Sequence, residues 1–504
     1  MSDYVLAVDF GTSSLKLGLF DEKLEKKYTA PGRYSYKTFS KKIGWVEQDP
    51  RGWWIAFKRA VRDVMKKYGI KREEIVSINV GAHMGLICID RNGKPLRPSI
   101  LFFDQRSVTQ CEKLSKQVCG DDVFKICGNR ISTVQTVTQI MWLKENEPEV
   151  YEKTFKFMIA PGYIAYLLTG EFSYDWTHAS WSLLFDIRKR SWSEKMFNLF
   201  NISREKFPET MPSYKVLGNL TQNAAKETGL NPGTPVMVGG SDTPLAALAE
   251  NVVDRNRALI TAGSVSSVIT CTDMPNFSST LLNRCHVVPD RWLMQGAMNA
   301  HSNVFEWLIR ELYLKEGESL SSEVFEKVEE EIKSSPVGSN NLIFLPYLAG
   351  ERSPIWDPYA RGVIFGLSFH HSRGDIMRAS YEGTAYAARH NLEIIESMGA
   401  KIDSFRIVGG GAKSRIWNQI KADILGKKIV VGKNSADASM IGSAILAAYG
   451  IGWVKNLFEI KLDDENVTVF RPRKSAWQKY TKLFELYKSL YLSLKDNFYK
   501  LSQI

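Results

Sequence analysis

No Cys-Xaa-Xaa-Cys pair occurs in this chain, and its six cysteines (Cys88, Cys111, Cys119, Cys127, Cys271 and Cys285) are scattered. A zinc site needs clustered ligands, so that spacing argues against zinc. The simplest reading is reduced thiols in a cytoplasmic protein. No stretch approaches the roughly 18 continuous apolar residues of a membrane span. The opening Met1-Ser2-Asp3-Tyr4-Val5 has no basic region before an apolar core, so no secretory leader is expected. Basic residues outnumber acids 66 to 55, a net charge of +11. Yet no basic stripe with interleaved aromatics marks a nucleic-acid surface. The excess reads as a solvated surface that also favours anionic ligands such as nucleotides. With 504 residues, 44% of them apolar, the chain exceeds one ordinary core, and two lobes are expected.

What is present begins at residue 9. Asp9, Phe10, Gly11, Thr12, Ser13 and Ser14 follow the apolar run Tyr4 to Val8. Gly11 allows a tight turn and close approach to an anion. Thr12, Ser13 and Ser14 offer hydroxyls and backbone N–H donors, and Lys16 adds a positive charge. Asp9, at the strand end, suits Mg²⁺, directly or through water. A plain strand–turn–strand hairpin would show the same local pattern.

The design recurs. Ala258-Leu259-Ile260-Thr261 runs into Ala262-Gly263-Ser264-Val265-Ser266-Ser267 and the strand Val268-Ile269-Thr270. A third glycine turn, Gly409-Gly410-Gly411-Ala412, follows Phe405 to Val408 and precedes a helix from Trp417. It lacks the GxGxxG spacing and the acid of a dinucleotide fold. Between them, Val236-Met237-Val238 leads to Gly239-Gly240-Ser241-Asp242-Thr243-Pro244 and an Ala/Leu-rich helix. Two similar hairpins some 250 residues apart suggest two related α/β lobes around a shared cleft. The boundary is expected near residues 245–258, giving lobes 1–247 and 248–504. Trp53 to Lys67 has helical spacing, Ile75 to Val80 reads as a strand, and Gly85 to Asp90 with Asn92-Gly93 as a hairpin. The stripe Leu483, Leu486, Tyr487, Leu490, Leu494 and Phe498 reads as a helix packed on the second lobe.

These motifs, in this order, resemble the FGGY carbohydrate kinases, of the actin-like, ribonuclease H-like ATPase superfamily. "DFGTSSLK" and "TAGSVSS" look like the two phosphate hairpins, and "GGSDTP" (239–244) like the loop with the catalytic acid. "GWVEQDPRGWW" (44–54) is similar to a segment of xylulose kinases, and "LLTGEFSYDWTHASWSLLFD" (167–186) to the Leu-Thr-Gly-Glu and Ala-Ser segments. "RGVIFGLSFHHSRGDIMRASYEG" (361–383) fits the C-terminal signature, and "VGGGAKSRIWNQIKADILGKKI" (408–429) the adenosine turn and helix. The chain also departs from the pattern. Gln139 stands where a lysine is usual, Ala82-His83-Met84-Gly85 replaces Gln-Met-His-Gly, and Phe102-Phe103 replaces Trp-Asn before Asp104.

The resemblance implies two ribonuclease H-like lobes with the active site between them, and ATP with Mg²⁺ as cofactors. Asp242 becomes the base, with helix capping as its structural alternative. Asp9 and Asp242 become the metal acids. Thr12, Ser13, Ser14 and Lys16 meet the phosphates from one lobe, and Thr261, Gly263 and Ser264 from the other. Gly409, Gly410, Gly411 and Ala412 leave room for adenosine, near Asn418. His83, Met84, Asp104 and Asp242 would meet the sugar, although Asp104 could instead bridge Arg106. Trp45, Trp53 and Trp54 read as core. The first choice of acceptor is a ketopentose such as D-xylulose; the alternatives are gluconate, another ketose or a polyol. A non-catalytic actin-like ATP-binding regulator would have no need of an acid at 242. Oligomeric state, a homodimer included, stays open.

Overall fold

The computed structural model describes residues 3–460 and 466–504. The first sheet contains β1 (Tyr4–Phe10), β2 (Ser14–Phe20), β3 (Lys26–Thr29), β4 (Ile75–Ala82), β5 (Val216–Asn219) and β6 (Pro235–Met237). Their order is β5-β6-β4-β1-β2-β3. β1, β2 and β3 are antiparallel neighbours, whereas β4 and β6 run parallel to β1. The second sheet contains β7 (Arg257–Ala262), β8 (Ser266–Thr272), β9 (Leu282–Cys285), β10 (Trp292–Met298), β11 (Ser404–Val408), β12 (Lys428–Gly432) and β13 (Val467–Phe470). Its order, β9-β10-β8-β7-β11-β12-β13, repeats the first arrangement with one strand added. Again three antiparallel strands are followed by two parallel to the first. This is the ribonuclease H-like topology, present twice.

The central strands are buried on both faces, so they read as apolar runs rather than alternations. One cover of the first sheet is α1 (Pro50–Tyr68). It starts at Asp49, whose side chain accepts from Arg51 N at 3.0 Å, and stops at the left-handed Gly69. Trp53, Phe57, Ala60, Val61 and Val64 form its buried face. A smaller sheet within residues 38–158 extends this lobe, with a separate apolar core that runs from Leu86 to Phe207 and takes in Phe277, Cys285 and Trp292 of the second lobe.

The short helix α2 (Trp176–Ala179) belongs to that extension. The two lobes meet through α3 (Asp242–Ala249) and, from the second lobe, α6 (Ala438–Gly450), which follows α4 (Arg373–Ser397) and α5 (Arg415–Leu425). Met440, Ala444, Ala447 and Ala448 of α6 pack on Val5, Ala7 and Phe20 of the first sheet. Gly442 permits this approach, because a Cβ there would lie 2.0 Å from Leu245 O. Asn79 Nδ2 donates to Ser443 Oγ at 2.9 Å, and that hydroxyl donates to Asn79 O at 3.0 Å. A second junction lies at β9, where Asn129 Nδ2 donates to Asn283 O at 2.7 Å and Asn283 N donates to Asn129 Oδ1 at 2.9 Å.

The C-terminal helix α7 (Lys474–Leu501) packs on the second lobe through Tyr480, Leu483, Tyr487 and Phe498, while Leu486 is exposed. Glu382 of α4 accepts from Tyr480 Oη at 2.6 Å, Arg378 Nε at 2.8 Å and Gly338 N at 3.0 Å. The acids of the 361–383 signature therefore brace the fold: Asp375 likewise receives Ser335 and Asn340. No helix among the described residues is long and apolar enough to cross a membrane.

Candidate active site

Both hairpins turn where the sequence places them. Gly11 N donates to Ser14 O at 3.1 Å, Tyr36 Oη donates to Gly11 O, and Gln48 Nε2 donates to Thr12 O at 2.7 Å. These bonds fix the turn through its carbonyls, leaving Thr12 and Ser13 exposed. In the second hairpin Gly263 N donates to Val265 O at 3.2 Å. Ser302 N and Asn303 N donate to Gly263 O and Ser264 O at 3.3 and 3.2 Å, and Thr261 sits half-buried on the adjoining strand.

The glycine turn lies against that second hairpin. Gly409 has φ +98°, and a Cβ there would lie 2.7 Å from Ala262 O, so only glycine fits. Gly410 faces open space, and Gly411 would crowd Ala262 and His301. Asn418 is buried: its Nδ2 donates to Ala412 O at 2.7 Å, and its Oδ1 has no partner. Trp417 stacks with His301 at 4.1 Å and with Tyr381 at 4.3 Å. Lys421 Nζ lies 4.0 Å from the Trp417 ring centre and also lacks a hydrogen-bond partner.

Asp9 is the last residue but one of β1, with its Oδ1 enclosed and unpartnered. Burial, then the nearby Asp242 charge, push its carboxyl up to about 7, against the pull of Lys16. Two acids thus share one electrostatic field. Lys16 crosses to the second lobe, donating to Ala436 O at 2.5 Å and pairing with Asp437 at 3.2 Å.

Asp242 is the first residue of α3, and its cap residue is Ser241. Asp242 Oδ1 accepts from Thr243 N at 2.6 Å, Ser241 Oγ at 3.2 Å and Thr243 Oγ1 at 3.3 Å. Its Oδ2 receives no hydrogen bond among the described residues. Ser241 is fixed in turn, since its N donates to Thr177 Oγ1 at 2.9 Å.

Past the end of β4, His83 is buried, with Nδ1 3.2 Å from Met84 O and Nε2 unpartnered. Burial holds its imidazole below the usual range, although the Asp242 charge opposes this. Met84 packs with Val134, Trp181, Leu282 and Ala297, joined by Phe102 and Trp356. His178, Trp181 and Arg284 complete this wall, and sequence reasoning missed all three. His178 Nδ1 pairs with Asp175 at 2.8 Å, leaving its Nε2 orphaned. Trp181 Nε1 and Arg284 Nε are orphaned too, with the Arg284 guanidinium 4.2 Å from the Trp181 ring centre. The signal for the first two was the segment 167–186; a lone arginine in a strand carried none.

Asp104 stands apart. It is fully buried, and Arg106 engages both its oxygens at 2.8 Å, with Val46 N adding a further bond. That saturation argues against the sugar contact expected of it. Gln139 donates to Leu101 O at 3.1 Å and is likewise part of the scaffold. Trp53 is fully buried, and Trp45 meets Trp142 edge-on beneath Arg106.

Whole-chain comparison identifies the family in which these two glycine hairpins and the loop of Asp242 occur. The FGGY family of carbohydrate kinases, N-terminal domain, matches residues 4–249, and its C-terminal domain matches 258–451. The chain belongs to the FGGY family of carbohydrate kinases. A xylulose kinase of Staphylococcus epidermidis is 31% identical, covering 98% of both chains. A gluconokinase of Bacillus subtilis is 26% identical, covering 99% of this chain and 97% of its own. Among solved structures, the ligand-bound xylulose kinase of Lactobacillus acidophilus superposes with TM-score 0.89 at 25% identity, covering 99% of this chain and all of that one. As an FGGY kinase, the protein is an ATP-dependent sugar phosphotransferase.

Proposed function

We propose that this FGGY kinase phosphorylates a hydroxyl of a ketopentose such as D-xylulose, with Asp242 as the base. The observation that carries the reading is the asymmetry of the Asp242 carboxylate. Three donors hold Oδ1, whereas Oδ2 is left to accept a proton. A sugar hydroxyl is weakly acidic and gives up its proton late, as its bond to phosphorus forms, so a carboxylate within hydrogen-bond reach suffices.

In this reading Thr12, Ser13, Ser14 and Lys16 meet the phosphates from the first lobe. Thr261, Gly263 and Ser264 meet them from the second. Gly409 to Ala412 admit adenosine, and Asn418 Oδ1 offers an acceptor to its exocyclic amine. The enclosed, unpartnered Asp9 Oδ1 and the adjacent Asp242 suit Mg²⁺, which takes one or two carboxylates together with phosphate oxygens and water. Among the described residues no cluster of three or more protein ligands competes with that arrangement. The metal would neutralise charge on the phosphates. His83, His178 and Met84 line the acceptor side, where unpartnered ring nitrogens suit sugar hydroxyls. A lobe division at 247/248 and action in the cytoplasm belong to the same proposal. Sheets built from residues 4–241 and 257–470 support the first, and six free thiols the second.

Relatives named xylulose kinase support the ketopentose. The second reading is a sugar acid such as gluconate. It is favoured by Arg130, 5.0 Å from the Trp356 ring centre at the acceptor-side cluster and without an ion pair among the described residues. A coupled ADP-release assay across pentuloses, hexuloses, polyols and aldonates separates them. D-xylulose is expected to give the highest kcat/KM. An aldonate ranking first would replace the acceptor, and ATP binding without turnover on any member would remove the kinase reading.

A further inference from the structure

Three other enclosed arginines of this protein hold carboxylates. Arg97 pairs with Glu47 and Glu147, Arg106 with Asp104 and Glu47, and Arg378 with Glu382. Arg284 is buried as deeply yet has no carboxylate within ion-pair distance among the described residues. An unpaired buried charge is expensive, so a fold that keeps one uses it for something. Burial pushes its guanidinium down to about 10, while the Asp242 and Asp175 charges work against that shift.

Arg284 comes from β9, the edge strand of the second sheet. Its guanidinium lies over the Trp181 ring, and the Asn129–Asn283 bonds lock its strand to the first lobe. From there NH1 donates to Ser241 Oγ at 3.2 Å. A serine hydroxyl has one hydrogen and two lone pairs. Once Oγ accepts from Arg284, which has only hydrogens to give, its own hydrogen must point elsewhere. The acceptor in reach is Asp242 Oδ1, at 3.2 Å. Arg284 thereby fixes the polarity of the Ser241 hydroxyl.

We propose that Arg284 is a positioning residue for Asp242: acting through Ser241, it pins Oδ1 and so turns Oδ2 toward the acceptor hydroxyl. Without it the Ser241 hydroxyl is free to rotate, and the carboxylate loses one of its three restraints. The substrate need not touch Arg284 for this effect.

The proposal rests on Asp242 being the base, so Asp242→Asn is made alongside. In Arg284→Met, kcat is expected to fall about 10–100-fold, the range for loss of an orienting partner, with KM for ATP and acceptor unchanged. Arg284→Lys should restore part of kcat, because an ammonium can still donate to Ser241. Ser241→Ala should match Arg284→Met, and the double variant should be no slower than either single one, as for two groups acting in one line. If Arg284→Met melts early, Ser241→Ala carries the test alone. A kcat within about twofold of the parent in Ser241→Ala, or losses that multiply in the double variant, would overturn the proposal. So would a rise in acceptor KM with unchanged kcat in Arg284→Met, which marks a substrate contact. Full turnover in Asp242→Asn would instead overturn the base itself.

Discussion

Asp437 stands in the second lobe where Asp242 stands in the first. Each opens the helix that follows its sheet's last parallel strand: Asp242 as the first residue of α3, Asp437 as the cap residue of α6. Their surroundings differ. Asp437 is paired with Lys26 at 2.6 Å and Lys16 at 3.2 Å, whereas Asp242 has no ion pair among the described residues. Burial works against the Asp437 carboxylate, yet the Lys26 hydrogen bond and the two lysine charges hold it below the usual range. One acid of the related pair is neutralised, and the other is left without a counter-ion, as the proposed base requires.

Loss of the free acid should therefore be selective. Asp242→Asn is expected to bind nucleotide like the parent while kcat falls about 10²–10⁴-fold, the usual contribution of a general base. Calorimetric titration with ATP and the ADP-release assay read the two quantities. Near-normal turnover would leave Asp242 a structural residue.

Lys16 tests the cross-lobe contact. Its side chain is 45% exposed, so its pairing with Asp437 adds only about 0–1 kcal/mol. Lys16→Met should leave the melting temperature nearly unchanged and raise KM for ATP by roughly tenfold, the effect of losing about 1.4 kcal/mol at a phosphate. An unchanged KM would confine Lys16 to bridging the lobes.

Asp104 should behave in the opposite way. Asp104→Ala strips Arg106 of a buried partner, and breaking such a pair costs about 3–5 kcal/mol. Denaturant unfolding should show that loss, while acceptor KM in the folded fraction stays at the parent value. A selective rise in acceptor KM would return Asp104 to the sugar site.

Lys421 makes a prediction in pH. Burial pulls its ammonium down from 10.5 to about 7. A base depressed in the fold penalises stability most at low pH, below the folded value. The penalty shrinks as pH rises from about 7 toward 10.5. Lys421→Met should thus be more stable than the parent at neutral pH, with the gap closing in alkali. Parallel unfolding curves for parent and variant at pH 7, 8.5 and 10 check it; a constant gap would mean packing rather than charge.

The lobes and their hairpins were legible because phosphate turns leave a local mark: an apolar strand, a glycine, then hydroxyls. α1 was legible from its period, and the structure adds its Asp49 start and Gly69 stop. The helix after Asp242 was expected but not its starting point, because Ser241 rather than Asp242 takes the cap position. The acceptor wall was harder to read. His178, Trp181 and Arg284 meet only through folding, from segments about a hundred residues apart, and no short pattern announces such a meeting. Asp104 shows the reverse hazard. The resemblance offered it as a sugar contact or as a bridge to Arg106, and the structure shows that bridge on both oxygens.

A repeated fold poses a problem for an asymmetric ligand. Two equivalent hairpins facing one cleft would let a chain of phosphates lie head to tail or tail to head. Counting from Gly11 and Gly263, Asp9 corresponds to Thr261 and Lys16 to Val268. Only the first hairpin carries ionisable side chains at those positions, and only the second lies against the open glycine turn at Gly410. In the proposed assignment this difference would give the nucleotide a polarity, its base toward the second lobe and its reactive end toward Asp9. Phosphoryl transfer would then have a single direction of travel, toward the proposed base Asp242.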